Sequence, residues 1–233
     1  MNLENARALI TGGSEGIGYG IAEALVAKGA RVAIQSRSAD KVKAAADRLG
    51  AHGIVGDVGI EADAVRNVSE AVSALGGLDI LVNNAGYGYF QPLVDMDVDS
   101  FEALFRTNVT GAMLMGREAA RHFVAQKSGH ILNISSTSGL GGGKGSTAYS
   151  GSKFALRGMT ECWRAELRPF NVRVTLVNPS EVQTPFFGKL GRTQELSDKK
   201  LRPKEIADAI VGALEIDDRG FIPEFSVFAT NPW

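Results

Sequence analysis

Thr11-Gly12-Gly13-Ser14-Glu15-Gly16-Ile17-Gly18 follows directly on the apolar run Ala6-Arg7-Ala8-Leu9-Ile10 and opens an amphipathic stretch that continues to residue 28. The aliphatic run suits a strand and the stretch after the glycines suits a helix. Glycines between a strand and a helix let the backbone approach a ligand closely, while the helix amino terminus turns toward an anion such as a pyrophosphate. The glycine spacing alone matches many ordinary turns. Its position after a strand and before a helix makes it a dinucleotide loop, with Gly12, Ser14, Gly16, Ile17 and Gly18 as candidate cofactor contacts.

Working outward, short β-branched runs alternate with longer amphipathic stretches, the signature of a parallel sheet covered on both faces. Strands are expected over 6–10, 31–35, 53–56, 80–83, 129–134, 172–178 and 220–227, and helices over 16–28, 39–49, 61–75, 99–126, 148–168 and 204–215. The expected fold is therefore α/β, a Rossmann-type doubly wound parallel sheet of about seven strands. The 233 residues are enough for one core, so a single domain over 1–233 is expected. The long irregular connection near 180–202 leaves the carboxyl end of a strand, where ligands bind in such sheets, and reads as a lid.

Composition narrows the function classes. A net charge of -1 argues against nucleic acid or an anionic membrane as the main partner. No apolar run is long enough to span a bilayer, and Met1 leads almost directly into the first strand, so a cytoplasmic protein is expected. Cys162 is the only cysteine, which rules out an internal disulfide or a thiolate metal cluster; it is expected to pack within its helix. No dense His/Asp/Glu cluster suggests a metal site.

The second strand ends Gln35-Ser36-Arg37-Ser38. An NAD site places an acid near this point to hold the ribose 2'-hydroxyl, whereas an NADP site supplies an arginine for the 2'-phosphate. No acid stands here, and Ser36 and Arg37 offer hydroxyl and guanidinium donors to a phosphate, so NADP(H) is expected over NAD(H). The plainer alternative is that Arg37 is a solvated surface charge.

Farther along stand Ser136 and Tyr149-Ser-Gly-Ser-Lys153. A tyrosine and a lysine four apart share one helix face, and an ammonium beside a phenol favours the phenolate, so Tyr149 is expected to have a lowered pKa. Each residue has a plainer role open to it: a core tyrosine, a serine capping a strand end, a surface lysine. Together, behind a dinucleotide loop, they read as an acid/base set.

At this point the chain resembles the short-chain dehydrogenase/reductase family over almost its whole length. The resemblance rests on the Thr11-Gly-x-x-x-Gly16-x-Gly18 loop, Asp57-Val58 after the third strand, Asn83-Asn84-Ala85-Gly86 after the fourth, Asn108 in Thr107-Asn108-Val109, Ser136, and the Tyr149/Lys153 pair. It implies adenine contact by Asp57 and Val58, and cofactor contacts from Asn84, Ala85 and Gly86. Pro179, Val182 and Thr184 would join them after the sixth strand. It also implies a catalytic set of Asn108, Ser136, Tyr149 and Lys153, in which Lys153 holds the nicotinamide ribose and Asn108 organises a relay water. A homodimer or homotetramer is implied as well.

Two departures stand out. The proline-glycine expected after the sixth strand is Asn178-Pro179-Ser180, and the carboxyl-terminal segment lacks the paired glycines of fatty-acid oxoacyl reductases. The ending looks more like that of short reductases acting on small ketones, aldehydes and hydroxy acids. Tyr87, Tyr89, Phe90, Leu140, Phe186 and Phe187 could line an apolar substrate pocket or pack the lid. Lys189, Arg192, Lys199, Lys200, Arg202 and Lys204 could attract an anionic substrate or an acidic acyl carrier protein, or form a solvated face. Carrier-protein reductases tend to have a basic residue just before the sixth strand, where this chain has Phe170.

The expected function is NADP(H)-dependent interconversion of a carbonyl and an alcohol by hydride transfer with tyrosine acid/base catalysis. A 3-oxoacyl-acyl carrier protein reductase and a non-catalytic NADP-binding sensor are the alternatives.

Overall fold

The computed structural model describes residues 1–186 and 197–232. Among these residues the strands are β1 (Arg7–Thr11), β2 (Arg31–Ser36), β3 (His52–Val55), β4 (Ile80–Asn83), β5 (Gly129–Ile134), β6 (Val172–Pro179) and β7 (Glu224–Val227). They form one sheet in the order β3-β2-β1-β4-β5-β6-β7, with every neighbouring pair parallel. The helices are α1 (Gly16–Ala27), α2 (Ala39–Leu49), α3 (Glu61–Leu75), α4 (Val98–Phe105), α5 (Ala112–Gln126), α6 (Thr147–Leu167) and α7 (Pro203–Leu214).

Strand alternation decides which helices pack on which face. Ala8, Ile10, Val32 and Ile34 point to one side, against Ile21 and Leu25 of α1, Val42 of α2 and Ile206 and Ile210 of α7. Leu9 and Ala33 point to the other, against Val68 of α3 and Met115 and Phe123 of α5. Both faces are buried, which is why these strands read as continuous aliphatic runs. The chain order reverses between β1 and β4, and that reversal opens a crevice at the carboxyl ends of the strands.

The expected helix over 99–126 is interrupted. α4 and α5 are joined by a π-helical turn, Arg106–Gly111, in which Asn108 is buried. An added residue in a helix widens one turn without disturbing the apolar pattern on either side, so periodicity alone reads the stretch as unbroken. β7 is shorter than the expected 220–227.

Along α6 the buried face runs through Ser152, Leu156 and Thr160. Trp163 packs beneath Gly116, where a Cβ would come within 3.0 Å of its ring, whereas Phe154 is exposed. Cys162 lies off the buried face and is exposed, contrary to the packed position expected of it.

The base of the 180–202 segment is pinned. Val182 and Leu201 form a β-bridge and are both buried in the sheet's core. Gln183 Nε2 donates to the Ser197 and Lys200 carbonyls, and Gln183 Oε1 accepts from Ser197 N at 2.8 Å. Phe187, Lys189 and Arg192 lie outside the described residues.

Candidate active site

A cleft of about 1060 Å³ opens over the carboxyl ends of the strands. Its first wall is the loop between β1 and α1. Gly12 and Gly16 have φ of +63° and +59°, which only glycine adopts without strain. Gly18 lies behind the wall, where a Cβ would stand 2.5 Å from the Gly12 carbonyl, so this glycine lets α1 press against the loop. Glu15, the residue before α1, makes no side-chain cap, and the first turn carries no acid, which leaves the helix's leading N–H groups for an anion. Ser14 and Ile17 line the cleft, and Thr184 comes over the loop at Gly16.

Ser36 and Arg37 line the next stretch of wall. Ser14 Oγ donates to Ser36 Oγ at 3.1 Å, and Arg37 Nη1 lies 3.8 Å from Asp57 Oδ2. Asp57 Oδ1 accepts from Gly59 N, while Val58 packs against Gly111 of the π turn. Asn84, Ala85 and Gly86 form the floor. Asn84 Nδ2 donates to the Thr11 and Gly12 carbonyls, and Thr11 Oγ1 accepts from the backbone N–H groups of both Asn84 and Ala85. Thr11 thus joins the two loops that would grip a ligand, a role not legible beyond its place in the motif. Pro179 and Val182 close the far side.

These residues fit a dinucleotide. They bring together an uncapped helix amino terminus, a glycine corner with no side chain in the way, and hydroxyl and guanidinium donors at the tip of β2.

At the other end Ser136, Tyr149 and Lys153 meet. A buried hydrogen-bond chain sets α6 against the sheet. Asn83 Nδ2 donates to Asn133 Oδ1 at 3.0 Å, Asn133 Nδ2 donates to Thr160 Oγ1 at 2.8 Å, and Thr160 Oγ1 donates to the Leu156 carbonyl. Ser136 Oγ accepts from Ser138 N at 3.1 Å, so it does cap a turn, and its own proton remains for the Tyr149 side.

Tyr149 is flanked by Phe90, with ring centroids 5.3 Å apart, and by Phe186 at 5.8 Å. Phe90 and Phe186 also crowd Gly88, where an added Cβ would meet both rings. Lys153 Nζ donates to the Ile134 carbonyl at 2.8 Å and stands 5.7 Å from the centre of the Tyr149 ring.

Burial raises the Tyr149 phenol above its ordinary pKa, against the lowering effect of its hydrogen bond with Ser136. The same burial pushes Lys153 down to about 8. The expected lowering of the phenol is therefore not what the structure shows. Desolvation governs both groups and drives each toward its neutral form, and one of the lysine's three N–H donors goes to a carbonyl. The consequence is a phenol that holds its proton at neutral pH.

Asn108 stands behind the cleft wall. Its Oδ1 accepts from Tyr87 N, and its Nδ2 donates to the Tyr87 carbonyl and to Ser152 Oγ. Ser152 Oγ in turn donates to the Tyr149 carbonyl at 2.7 Å. Asn108 has thereby used every polar atom of its side chain on protein partners. Ser152, which sequence reasoning missed, ties the π turn to α6.

A family model described as short chain dehydrogenase matches residues 6–195. An uncharacterized oxidoreductase of Staphylococcus saprophyticus is 34% identical over 221 residues, spanning 92% of this chain and 93% of the relative. The 3-ketodihydrosphingosine reductase of Bos taurus is 34% identical over 226 residues, spanning 90% of this chain and 68% of the relative. Among solved structures, an alcohol dehydrogenase from the archaeon Thermococcus sibiricus, complexed with 5-hydroxy-NADP, superposes with a TM-score of 0.87 at 26% identity, covering 96% of each chain. The chain belongs to the short-chain dehydrogenase/reductase family, as an oxidoreductase in a family that binds nicotinamide cofactors. No helix among the described residues is long and apolar enough to cross a membrane.

Proposed function

We propose that this protein is an NADP(H)-dependent reductase that interconverts a free ketone or aldehyde and the corresponding alcohol. The observation that carries the reading is the meeting of Ser136, Tyr149 and Lys153 at the end of a cleft whose other end is the glycine loop. The cofactor, when bound, supplies a hydride to the carbonyl carbon. The chain's own residues handle the oxygen. Ser136 donates a hydrogen bond to it, and Tyr149, which keeps its proton at neutral pH, transfers that proton as the C–O bond becomes a single bond. Lys153 would hold the nicotinamide ribose hydroxyls and return a proton to Tyr149 from solvent, with Asn108 holding the π turn beside that route. Phe90 and Phe186 flank the phenol ring and favour an apolar group beside the carbonyl.

The preference for NADP(H) is supported by Ser36 and Arg37 at the tip of β2, with no acid at that tip. A carrier-bound oxoacyl substrate is less well supported. Lys200, Arg202 and Lys204 each pair with an acid of this chain, Glu181, Asp198 and Asp208 respectively, so much of the basic run is already matched. A homodimer or homotetramer acting without a membrane or a nucleic acid is part of the proposal.

The test is NADPH consumption over a panel of ketones, aldehydes, hydroxy-acid precursors, pterins and oxoacyl thioesters. The expected result is turnover of a free carbonyl compound. Turnover confined to thioesters would move the substrate to a carrier, and no turnover at all would leave a non-catalytic NADP-binding sensor.

A further inference from the structure

One ion pair in the cleft belongs neither to the candidate cofactor contacts nor to the set of Ser136, Tyr149 and Lys153. Lys200 Nζ donates to Glu181 Oε1 at 2.9 Å, and both residues line the cleft. The order of the strands fixes which part of the cleft they reach. Ser136 follows β5, whose neighbours in the sheet are β4 on one side and β6 on the other. Gly88, against which Phe90 and Phe186 crowd, follows β4, so the aromatic wall beside Tyr149 stands on that side. Glu181 lies just past the end of β6, on the opposite side. Ser135 N donates to the Val177 carbonyl at 2.8 Å and Ser180 N to the Val227 carbonyl at 2.9 Å, which carries the end of β6 alongside Ser136.

Within the pair the carboxylate is the more open partner: the Glu181 side chain is 48% exposed against 23% for Lys200. Lys200 is held through its backbone, its N–H donating to the Ser197 carbonyl and its own carbonyl accepting from Gln183 Nε2. Glu181 gives Oε1 to the ammonium, and its Oε2 takes no partner among the described residues. The base of the 180–202 segment is pinned without this pair, by the bridge of Val182 with Leu201 and by the bonds of Gln183. The pair thus leaves an acceptor oxygen whose charge is already matched, which suits a neutral O–H donor better than a second cation.

We propose that Glu181 is a specificity-determining residue and that the substrate is a hydroxy ketone, with its carbonyl at Ser136 and Tyr149, its apolar group against Phe90 and Phe186, and its hydroxyl donating to Glu181 Oε2. This rests on the carbonyl–alcohol reading above. Reduction adds a hydride from NADPH, which becomes NADP+, to the carbonyl carbon and the Tyr149 proton to its oxygen; the hydroxyl on Glu181 is unchanged, and the product is a diol. Lys200 fixes where the carboxylate points. The competing role for the pair is structural, tying Lys200 to the end of β6.

Three aryl ketones separate these roles: phenacyl alcohol; propiophenone, which has a methyl group where the first has its hydroxyl; and benzoylformate, which has a carboxylate beside the carbonyl. Calorimetry measures the binding of each to the enzyme saturated with NADP+, where no ketone can be reduced. The wild type is expected to bind phenacyl alcohol about tenfold more tightly than propiophenone, and benzoylformate most weakly. Glu181→Leu should bring phenacyl alcohol and propiophenone within about twofold of each other, with NADP+ affinity unchanged as the sign of an intact fold. Equal wild-type affinity for those two ketones, a preference that survives in Glu181→Leu, or binding of none of the three would overturn the inference. Tightest binding of benzoylformate would overturn it too, by showing that Lys200 is the group that meets the substrate. All of these leave the carbonyl reading intact. Failure to consume NADPH across the whole carbonyl panel would remove that reading itself, and the inference with it.

Discussion

At the glycine-loop end of the cleft the Arg37 side chain is 67% exposed and faces Asp57 at 3.8 Å, whereas at the Ser136–Tyr149 end Lys153 is 6% exposed and bonded to a backbone carbonyl. At the first end, an ion pair this exposed is weak and can exchange partners. At the second end burial sets the protonation of Lys153 and its bond to the Ile134 carbonyl sets its position, while Ser136 and Tyr149 stay partly exposed to the cleft. On the proposed function, a substitution should act on cofactor binding at the first end and on chemistry at the second.

The largest effect that sharpens this contrast is expected at Tyr149. Tyr149→Phe keeps the ring between Phe90 and Phe186 but removes the proton that reaches the substrate oxygen. Carbonyl reduction should slow by roughly 10² to 10⁴ while NADPH affinity stays within about twofold. Turnover and a cofactor titration on the same preparation check both halves. A near-normal rate would break the assignment, and lost cofactor affinity would make the tyrosine a structural residue.

Next in size is a cost in stability confined to the buried end. Lys153 titrates at about 8 in the folded chain against 10.5 for an ordinary lysine, so folding favours its neutral form. Below pH 8 the group is charged in both folded and unfolded states, and the native state carries a constant penalty of about 3 kcal/mol. Between pH 8 and 10.5 the unfolded chain binds the extra proton, so stability rises with pH across that window. Lys153→Met should therefore abolish turnover and yet raise stability near pH 7 by about 2 kcal/mol, once the lost bond to Ile134 is counted. Denaturant unfolding at pH 7 and pH 10 measures it, with the gain smaller at the higher pH. A mutant less stable than wild type at pH 7 would mean that the lysine is well solvated or better paired than its surroundings indicate.

The smallest effect belongs to the exposed end. Ser36→Asp places a carboxylate at the tip of β2, beside Ser14 and Arg37, where it repels a 2'-phosphate and accepts from a 2'-hydroxyl. The wild type should bind NADPH at least about tenfold better than NADH, about 1.4 kcal/mol, and the mutant should reverse the order with little loss of turnover on the favoured cofactor. Fluorescence titration of both cofactors against both proteins checks it. Equal wild-type affinities would remove the preference for NADP(H).

What the sequence discloses follows the same division. The sheet, its helices and the cleft were legible because strand alternation and glycine corners are local signals, and Ser36, Ser136, Tyr149 and Lys153 fall where their spacing places them. What stayed hidden depends on packing between distant segments. The direction of the Tyr149 shift is set by burial, which no four-residue spacing reports. Ser152 reads as one small residue among several until Asn108 is brought to it from 44 positions away. The pairing of Glu15 with Lys41 likewise joins two helix starts, and Cys162 turns outward only because α6 buries a different stripe.

The π turn at Arg106–Gly111 has a bearing on how this chain can change. A helix advances about 100° per residue, so one added residue sets α4 and α5 out of phase by that angle. Deleting a residue from the turn would restore a regular and intrinsically sturdier helix. The same deletion would swing either Asn108 or the whole of α4 around the axis, parting Asn108 from Tyr87 and Ser152. Losing a residue from this turn would therefore make a better helix and a poorer site.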